Sequence, residues 1–161
     1  MGYYVCTTGG SFTVPPENME AAYAAVCALN DHDDLKGGGS YGGDFDANSP
    51  RPEGASFHNA RWYSWMPADF PSKLKTLREV FEELGFVCDD DNGALRIECY
   101  DCKMGQEELF LAAIAPFCDR DSSFEWRGED GSQWRHTISD AGQLLVWDSE
   151  VVYHSPRAVG E

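Results

Sequence analysis

The chain begins with aromatic and β-branched residues that predict a β-strand over Tyr3–Thr8. Gly9 and Gly10 interrupt this strand before Phe12–Val14 resumes it, which indicates a bulge or bend. Pro15 and Pro16 end the strand, and apolar residues then recur at helical spacing. These residues predict one apolar face of a first helix: Met19, Ala22, Tyr23, Val26 and Cys27.

Pro71 is placed to open a second helix, in which apolar residues recur every three or four positions and Gly85 ends the pattern. Two strands follow, Phe86–Cys88 and Leu95–Tyr100, and the Asn-Gly pair at 92–93 predicts a tight hairpin between them. We expect Cys99 to point inward, because it shares strand parity with Leu95 and Ile97. The apolar positions of the second helix are Leu74, Leu77, Phe81 and Leu84.

A third helix is predicted over 106–117, ending near Pro116. Two alternating segments, Ser122–Arg127 and Gln133–Ile138, then flank a Gly-rich turn, and their pattern specifies a register. If Trp126 pairs with Trp134, Phe124 meets His136 on the apolar face and Glu125 opposes Arg135 on the other. A last strand is predicted over Gln143–Tyr153.

The element order β-α-β-β-α-β predicts a single α+β domain over 1–161, a two-layer sandwich of ferredoxin-like order with an antiparallel sheet. A helix and a long loop are inserted after the first strand, and two antiparallel strands are appended at the C-terminus. Gly and aromatic residues enrich the insert at 31–69, and we expect its last part, Phe57–Trp65, to pack on the body.

Composition restricts the function classes. The 161 residues carry 28 acidic against 12 basic side chains, a formal charge of −16, which argues against direct binding of nucleic-acid phosphates. A hydrophobic content of 42% favours a folded domain. No apolar run is long enough to span a membrane, and we see no secretory signal, so we expect a cytoplasmic protein. Six Cys residues then fit a reducing compartment without disulfides.

The acidic residues cluster at three predicted turns. One interpretation is a solvated surface that keeps the protein soluble. The other is a negative field that docks on a basic surface, such as that of a protein that itself binds nucleic acid. In the second case Trp62 and Trp65 of the insert are candidate anchors. The acidic candidates for partner binding are Asp31, Asp33, Asp34, Asp89, Asp90, Asp91, Glu129 and Asp130.

Motifs for metal or catalytic chemistry are weak, and we predict no cofactor, no metal and no catalytic residue. Cys99 and Cys102 form a lone C-x-x-C, which with Cys88 and Cys118 offers four thiolates for zinc or a redox pair, but a second paired motif is missing. The segment 44–55 begins like a calcium loop but has Ser49 in place of the required Gly and ends on Ala in place of Glu. Buried or incidental thiols remain the simpler interpretation.

The stretch from Phe124 to Ile138, with its Gly-Glu-Asp-Gly-x-x-Trp-Arg hairpin, resembles small uncharacterised proteins of phages and mobile elements. An Ile-Ala-Pro helix end at 114–116 and the opening Met-Gly-Tyr-Tyr extend the likeness, which covers 86–150 and, loosely, the first 30 residues. This resemblance implies no catalytic residues. It implies an inhibitor of host machinery, of the anti-CRISPR or anti-defence type.

Three hypotheses follow. The first is a non-catalytic inhibitor that docks on a basic surface of a host nucleic-acid-handling protein, as a monomer or small homo-oligomer. The second is an enzyme or small-molecule-binding protein with a pocket between the 31–69 insert and the sheet, holding Tyr41, Trp62 or Trp65. The third is an accessory protein that acts through oligomerisation or another partner.

Overall fold

The computed structural model describes residues 2–41, 57–63 and 65–160. Within these residues the strands are β1 (Tyr4–Val14), β2 (Gly38–Tyr41), β3 (Phe57–Arg61), β4 (Phe86–Asp91), β5 (Ala94–Lys103), β6 (Ser123–Gly128), β7 (Gln133–Ile138) and β8 (Leu144–Asp148). The helices are α1 (Met19–Leu29), α2 (Phe70–Lys73), α3 (Leu77–Leu84) and α4 (Glu107–Ile114). Short 3-10 turns occupy Pro16–Asn18, Asp33–Leu35 and Ala115–Phe117.

Six strands form one antiparallel sheet in the order β4-β5-β1-β6-β7-β8, so the α+β class is confirmed. The specific ferredoxin-like order is not matched, since the sheet is a single order of six strands; β7 and β8, the two strands predicted at the C-terminus, continue it from β6. Both β1 and β4 pair with β5, and they therefore run in the same direction with β5 between them.

The helices cover one face of this sheet. Side chains that point to that face, such as Phe12, Ile97 and Phe124, are fully buried, whereas Arg96 and Arg135 on the opposite face are exposed. Aromatic rings dominate the buried layer: Phe12 and Phe124 stack with centroids 4.8 Å apart. The strand alternation therefore produces a core on one side and a polar surface on the other.

The register predicted for β6 and β7 is confirmed. Trp126 pairs with Trp134, Phe124 with His136, and Glu125 with Arg135. On the exposed face, the Arg135 guanidinium donates to Glu125 Oε1 at 2.6 Å.

The predicted irregularity in β1 is also confirmed, since its pairing with β6 shifts between Thr7 and Gly9. Gly10 has φ +87, and a Cβ there would lie 2.2 Å from the Ser123 carbonyl oxygen. Only glycine accommodates both constraints.

The prediction that Cys99 points inward is wrong. The pairing of β4 with β5 shifts between Phe86 and Cys88, so that β5 contains one extra residue between Ile97 and Tyr100. Such a bulge inverts the strand parity beyond it. Tyr100 is therefore buried in the core and Cys99 is exposed.

The second predicted helix is in two pieces. α2 ends at Lys73, and Leu74 is extended at φ −104 and ψ 110. α3 then begins after Thr76, whose hydroxyl accepts from the Glu79 backbone N–H at 3.1 Å in a capping box. Gly85 follows the last turn in the left-handed region at φ +117, as predicted.

Two further expectations need correction. The last strand ends at Asp148 and not at Tyr153: Asp148 pairs with Trp134, and β7 extends only one residue further, to Gln133. The insert is not all irregular, since β2 and β3 pair as a second, two-stranded sheet. The prediction that Phe57–Trp65 packs on the body holds for the buried side chains of Trp62 and Tyr63.

Candidate functional site

The acidic residues at 31–34 form an exposed turn after α1. Asp33 Oδ1 accepts from Lys36 Nζ at 2.6 Å, and the same ammonium donates to the Asn30 carbonyl oxygen at 2.8 Å. The Lys36 side chain is buried and its ammonium lies 5.9 Å from the Trp62 ring centroid. Asp33 is thus partly neutralised, and Asp31 and Asp34 are the exposed carboxylates of this cluster.

Glu129 and Asp130 occupy the turn between β6 and β7. Asp130 Oδ1 accepts hydrogen bonds from the Tyr3 hydroxyl and, at 2.9 Å, from the Ser132 backbone N–H. The bond from Tyr3 is the main cause that lowers the pKa of the Asp130 carboxyl below its ordinary value. Asp130 therefore stays ionised and holds the turn in place, whereas Glu129 is exposed.

Asp89, Asp90 and Asp91 form the end of the edge strand β4 and lead into the hairpin. Asp89 Oδ1 accepts from the Asp90 N–H at 2.9 Å, and Asp90 Oδ1 accepts from the Gly93 N–H at 3.1 Å. Two of these carboxylates therefore shape the turn itself.

The three clusters lie at two ends of the sheet. The first residue of β1, Tyr4, pairs with Lys103. The last residue of β1, Val14, pairs with Leu95, beside the Asp89–Asp91 turn. Eleven residues of strand separate these ends by roughly 30 Å. The structure therefore does not bring Asp89–Asp91 together with Glu129 and Asp130, which follow the Gly128 that pairs with Val5.

The turn at 31–34 lies at the same end as Glu129 and Asp130. The Gln106 side chain donates to the Leu35 carbonyl oxygen and accepts from the Gly37 N–H. Gln106 itself follows the last residue of β5 by three positions, and Met104 N donates to the Tyr3 carbonyl oxygen at 2.7 Å. We call this end, where β1 begins and β5 ends, the Met104 end.

The two tryptophan candidates have different environments. Trp62 is 3% exposed and packs edge-on against Phe110, so it belongs to the core. Trp65 is 43% exposed, and its Nε1 donates to the Glu83 carbonyl oxygen at 2.8 Å. Of the two predicted anchors, only Trp65 presents a large accessible surface.

A shallow cavity of about 360 Å³ lies beside Trp65, between the insert and the connection from β5 to α4. Its wall is fixed by Tyr63, which donates to the buried Glu107 Oε2 at 2.8 Å and accepts from the Gln106 N–H at 3.0 Å. We call it the Trp65 cavity. It is lined by Gly37, Trp62, Tyr63, Trp65, Lys103, Met104, Gly105 and Gln106.

A second cavity, of about 290 Å³, lies on the helix side of β7 and β8 and shares Met104 with the first. We call it the Trp134 pocket. No local sequence pattern predicts this pocket, because the sequence of an edge strand does not show where a covering helix ends. Its lining residues are Tyr3, Met104, Glu108, Ser132, Gln133, Trp134, Val146 and Asp148.

His136 and Glu108 face each other beside this pocket. His136 is 2% exposed, and its Nε2 lies 3.9 Å from Glu108 Oε1, beyond hydrogen-bond distance. Within the part of the chain that the structure describes, neither ring nitrogen has a hydrogen-bond partner. Burial lowers the pKa of His136 to about 4, and burial followed by the charge of Glu107 raises the pKa of Glu108.

The cysteines do not assemble a metal centre in the described residues, where no group of three His, Cys, Asp or Glu side chains is placed to hold an ion. Burial raises the pKa of Cys88 and of Cys118 to about 12, so both remain thiols at neutral pH. The calcium-like segment at 44–55 lies outside the described residues.

Comparisons of the chain with protein-family models, with curated proteins and with solved structures find no match. Among the residues placed by the structure, no helix is long and apolar enough to cross a membrane.

Proposed function

We propose that this protein is a non-catalytic binding protein that inhibits a host nucleic-acid-handling defence protein by docking on its basic surface. In this proposal the protein is encoded by a phage or other mobile element and acts in the host cytosol, as a monomer or small homo-oligomer. An anti-CRISPR protein is one member of this class. The resemblance of the β6–β7 hairpin to mobile-element proteins supports the origin.

The observation that carries the proposal is the combination of charge and aromatic surface at the Met104 end. Two of the three acidic clusters lie there, with the exposed carboxylates of Asp31, Asp34 and Glu129. Trp65 and Met104, which both line the Trp65 cavity at this end, are 43% and 46% exposed. Carboxylates steer a basic partner toward the site, and exposed aromatic side chains supply contact area once it has docked.

A surface of this kind competes with nucleic acid for the same partner residues. Lys and Arg side chains that bind phosphates are attracted by a protein with a formal charge of −16. Binding therefore blocks the nucleic-acid site without any bond-making step. Screening by salt weakens such a complex more than one held by apolar contacts alone.

The test uses the purified, immobilised protein and host lysate at about 50 mM and about 500 mM salt. We expect it to capture a nucleic-acid-binding protein and to release that protein when DNA or RNA is added. The amount captured should be roughly tenfold lower at high salt than at low salt. Capture that is insensitive to both salt and nucleic acid would contradict the proposal.

Two double variants of equal net charge test whether capture depends on the Met104 end or on the negative charge of the whole protein. Asp34→Asn/Glu129→Gln removes two exposed carboxylates at the Met104 end. Glu17→Gln/Asp91→Asn removes two at the opposite end, where Gly93 lies beside Pro16. We expect the first pair to reduce capture severalfold more than the second, and equal losses would show that the surface is not localised there.

A small-molecule-binding function is the second candidate, and the Trp65 cavity favours it. The cavity lies between the insert and the sheet, where the aromatic residues of the insert predicted a pocket, and Gln106 adds a polar group. The backbone of Tyr41 is described in β2, but its side chain is outside the description. A metabolite-library screen by thermal shift, repeated on Trp65→Ala, tests this candidate. A compound that stabilises the unaltered protein but not the Trp65→Ala variant supports this candidate. If no compound stabilises the protein, the candidate is contradicted.

A further inference from the structure

The Trp134 pocket combines aromatic walls with two carboxylates. Glu108 projects from the first turn of α4, and Asp148 ends β8 opposite Trp134. None of its eight lining residues is Lys, Arg or His. A cavity with this lining is suited to a cation that has a flat apolar face.

Trp134 is held rigidly in this pocket. One of its faces stacks on the buried Trp126, with ring centroids 6.0 Å apart and planes only 2° from parallel. The indole is half-buried and lines the cavity, so an incoming group meets a surface whose orientation is already fixed. A fixed aromatic face costs little conformational entropy when a ligand stacks on it.

Within the part of the chain that the structure describes, Glu108 faces His136. The Glu108 side chain is half exposed, and His136 Nε2 lies 3.9 Å from its Oε1. His136 is neutral at pH 7, because burial holds its pKa at about 4. The neutral His136 therefore adds no positive charge beside the Glu108 carboxylate, which lines the pocket.

We propose that the Trp134 pocket binds the guanidinium group of an arginine side chain that projects from the partner protein. The guanidinium stacks on Trp134 and directs its N–H groups to Glu108 and Asp148. Arginine fits better than lysine because its planar group stacks on an aromatic face and donates in two directions at once. This inference rests on the proposed function, since basic surfaces that hold nucleic acid are rich in arginine.

The test is a titration of the purified protein with a short Gly-Arg-Gly-Arg-Gly peptide, followed by NMR of the Trp indole N–H resonances. Matched peptides carry lysine or the neutral isostere citrulline in place of arginine. We expect the Trp134 resonance to shift, with the arginine peptide binding roughly fivefold tighter than the lysine peptide and the citrulline peptide not binding. Equal binding of all three peptides, or an unmoved Trp134 resonance, would overturn the inference.

Glu108→Gln and Glu20→Gln form a matched pair of variants. Both remove one carboxylate from a helix, but Glu20 lies on α1 outside the pocket. We expect Glu108→Gln to weaken the arginine peptide roughly fivefold and Glu20→Gln to change its affinity by less than about twofold. An unchanged affinity for Glu108→Gln would contradict the assignment.

The peptide titration needs no host partner, so its outcome is separate from that of the lysate experiment. If Glu108→Gln captures the host protein as well as the unaltered chain does, the pocket assignment fails and the proposed function stands. If the arginine peptide binds as expected but no nucleic-acid-binding protein is captured, the site stands and the proposed function fails.

Discussion

The His136 imidazole faces the Glu108 carboxylate with 3.9 Å between Nε2 and Oε1, and burial keeps the ring neutral. Its pKa is about 4 in the folded chain against an ordinary value of 6.5. Between these values the unfolded chain binds a proton that the folded chain does not. This difference destabilises the fold as the pH falls from about 6.5 to about 4, and it has no effect above that window.

We therefore predict that His136→Phe flattens the pH dependence of the unfolding free energy between pH 7 and pH 4. The phenyl ring keeps the packing against Trp126, whose ring centroid is 5.7 Å away, and removes the two ring nitrogens, which have no hydrogen-bond partner among the described residues. The difference between variant and unaltered chain should grow by about 1–3 kcal/mol across this window. Urea denaturation at a series of pH values measures it, and parallel curves would contradict the prediction.

Glu108→Gln should change the pH dependence of the unfolding free energy in the opposite sense to His136→Phe. The pKa of Glu108 is raised by burial, so the folded chain holds this proton at pH values where the unfolded chain has released it. Stability associated with Glu108 is present at low pH and is lost as the pH rises through its raised pKa. The glutamine variant does not undergo that loss. In the same urea series, its unfolding free energy relative to that of the unaltered chain should therefore be higher at neutral pH than at pH 3.

Gly9 and Gly10 are adjacent in the bulge of β1 but differ in what a side chain would meet. A Cβ on Gly10 would lie 2.2 Å from the Ser123 carbonyl oxygen with φ +87, whereas a Cβ on Gly9 meets nothing within 4 Å. We predict that Gly10→Ala costs about 2 kcal/mol or more, because the backbone must shift, and that Gly9→Ala changes stability by less than about 1 kcal/mol. Thermal unfolding of the two variants compares them directly, and equal losses would show that the bulge is not constrained as described.

The elements that sequence predicts well are those fixed by neighbouring residues. The register of β6 and β7 follows from a short turn and clean alternation, and so Glu125 and Arg135 meet as expected. Strand parity predicts the wrong face for Cys99, because a bulge inverts the face of every later residue in β5 and the alternation gives no sign of that bulge. The apolar spacing does not predict the helix break before Thr76, because the spacing continues across it.

The candidate site also has some features that the sequence shows and others that depend on tertiary structure. Acidic clusters and aromatic residues are visible in the sequence, but their placement at one end or the other depends on how β1 pairs along its whole length. The Trp134 pocket depends on where α4 stops covering the sheet, which no local pattern encodes. Trp62 is a candidate anchor in the sequence, but tertiary packing buries it.

Tyr63 and Glu107 form a buried pair that anchors the insert to α4. The Tyr63 hydroxyl donates to Glu107 Oε2 at 2.8 Å and accepts from the Gln106 N–H, and burial raises the pKa of Tyr63. Tyr63→Phe leaves the 3% exposed Glu107 with one donor fewer, so we expect a loss of about 1–3 kcal/mol. Tyr4→Phe, at a side chain that is 48% exposed, is the control and should cost little. A shift of the urea midpoint with an unchanged slope measures both, and equal midpoints would contradict a role for this pair.

Thr76 decides where α3 begins, since the apolar spacing alone permits a continuous helix from Phe70 to Leu84. Its hydroxyl accepts from Glu79 N at 3.1 Å while Glu79 Oε2 accepts from Thr76 N, so two free backbone donors of the first turn are satisfied. We predict that Thr76→Ala costs about 1 kcal/mol and that Thr76→Ser, which keeps the hydroxyl, costs a few tenths. Circular dichroism with urea denaturation compares them. If alanine were tolerated as well as serine, the break would be set by the packing of Leu74 and not by the cap.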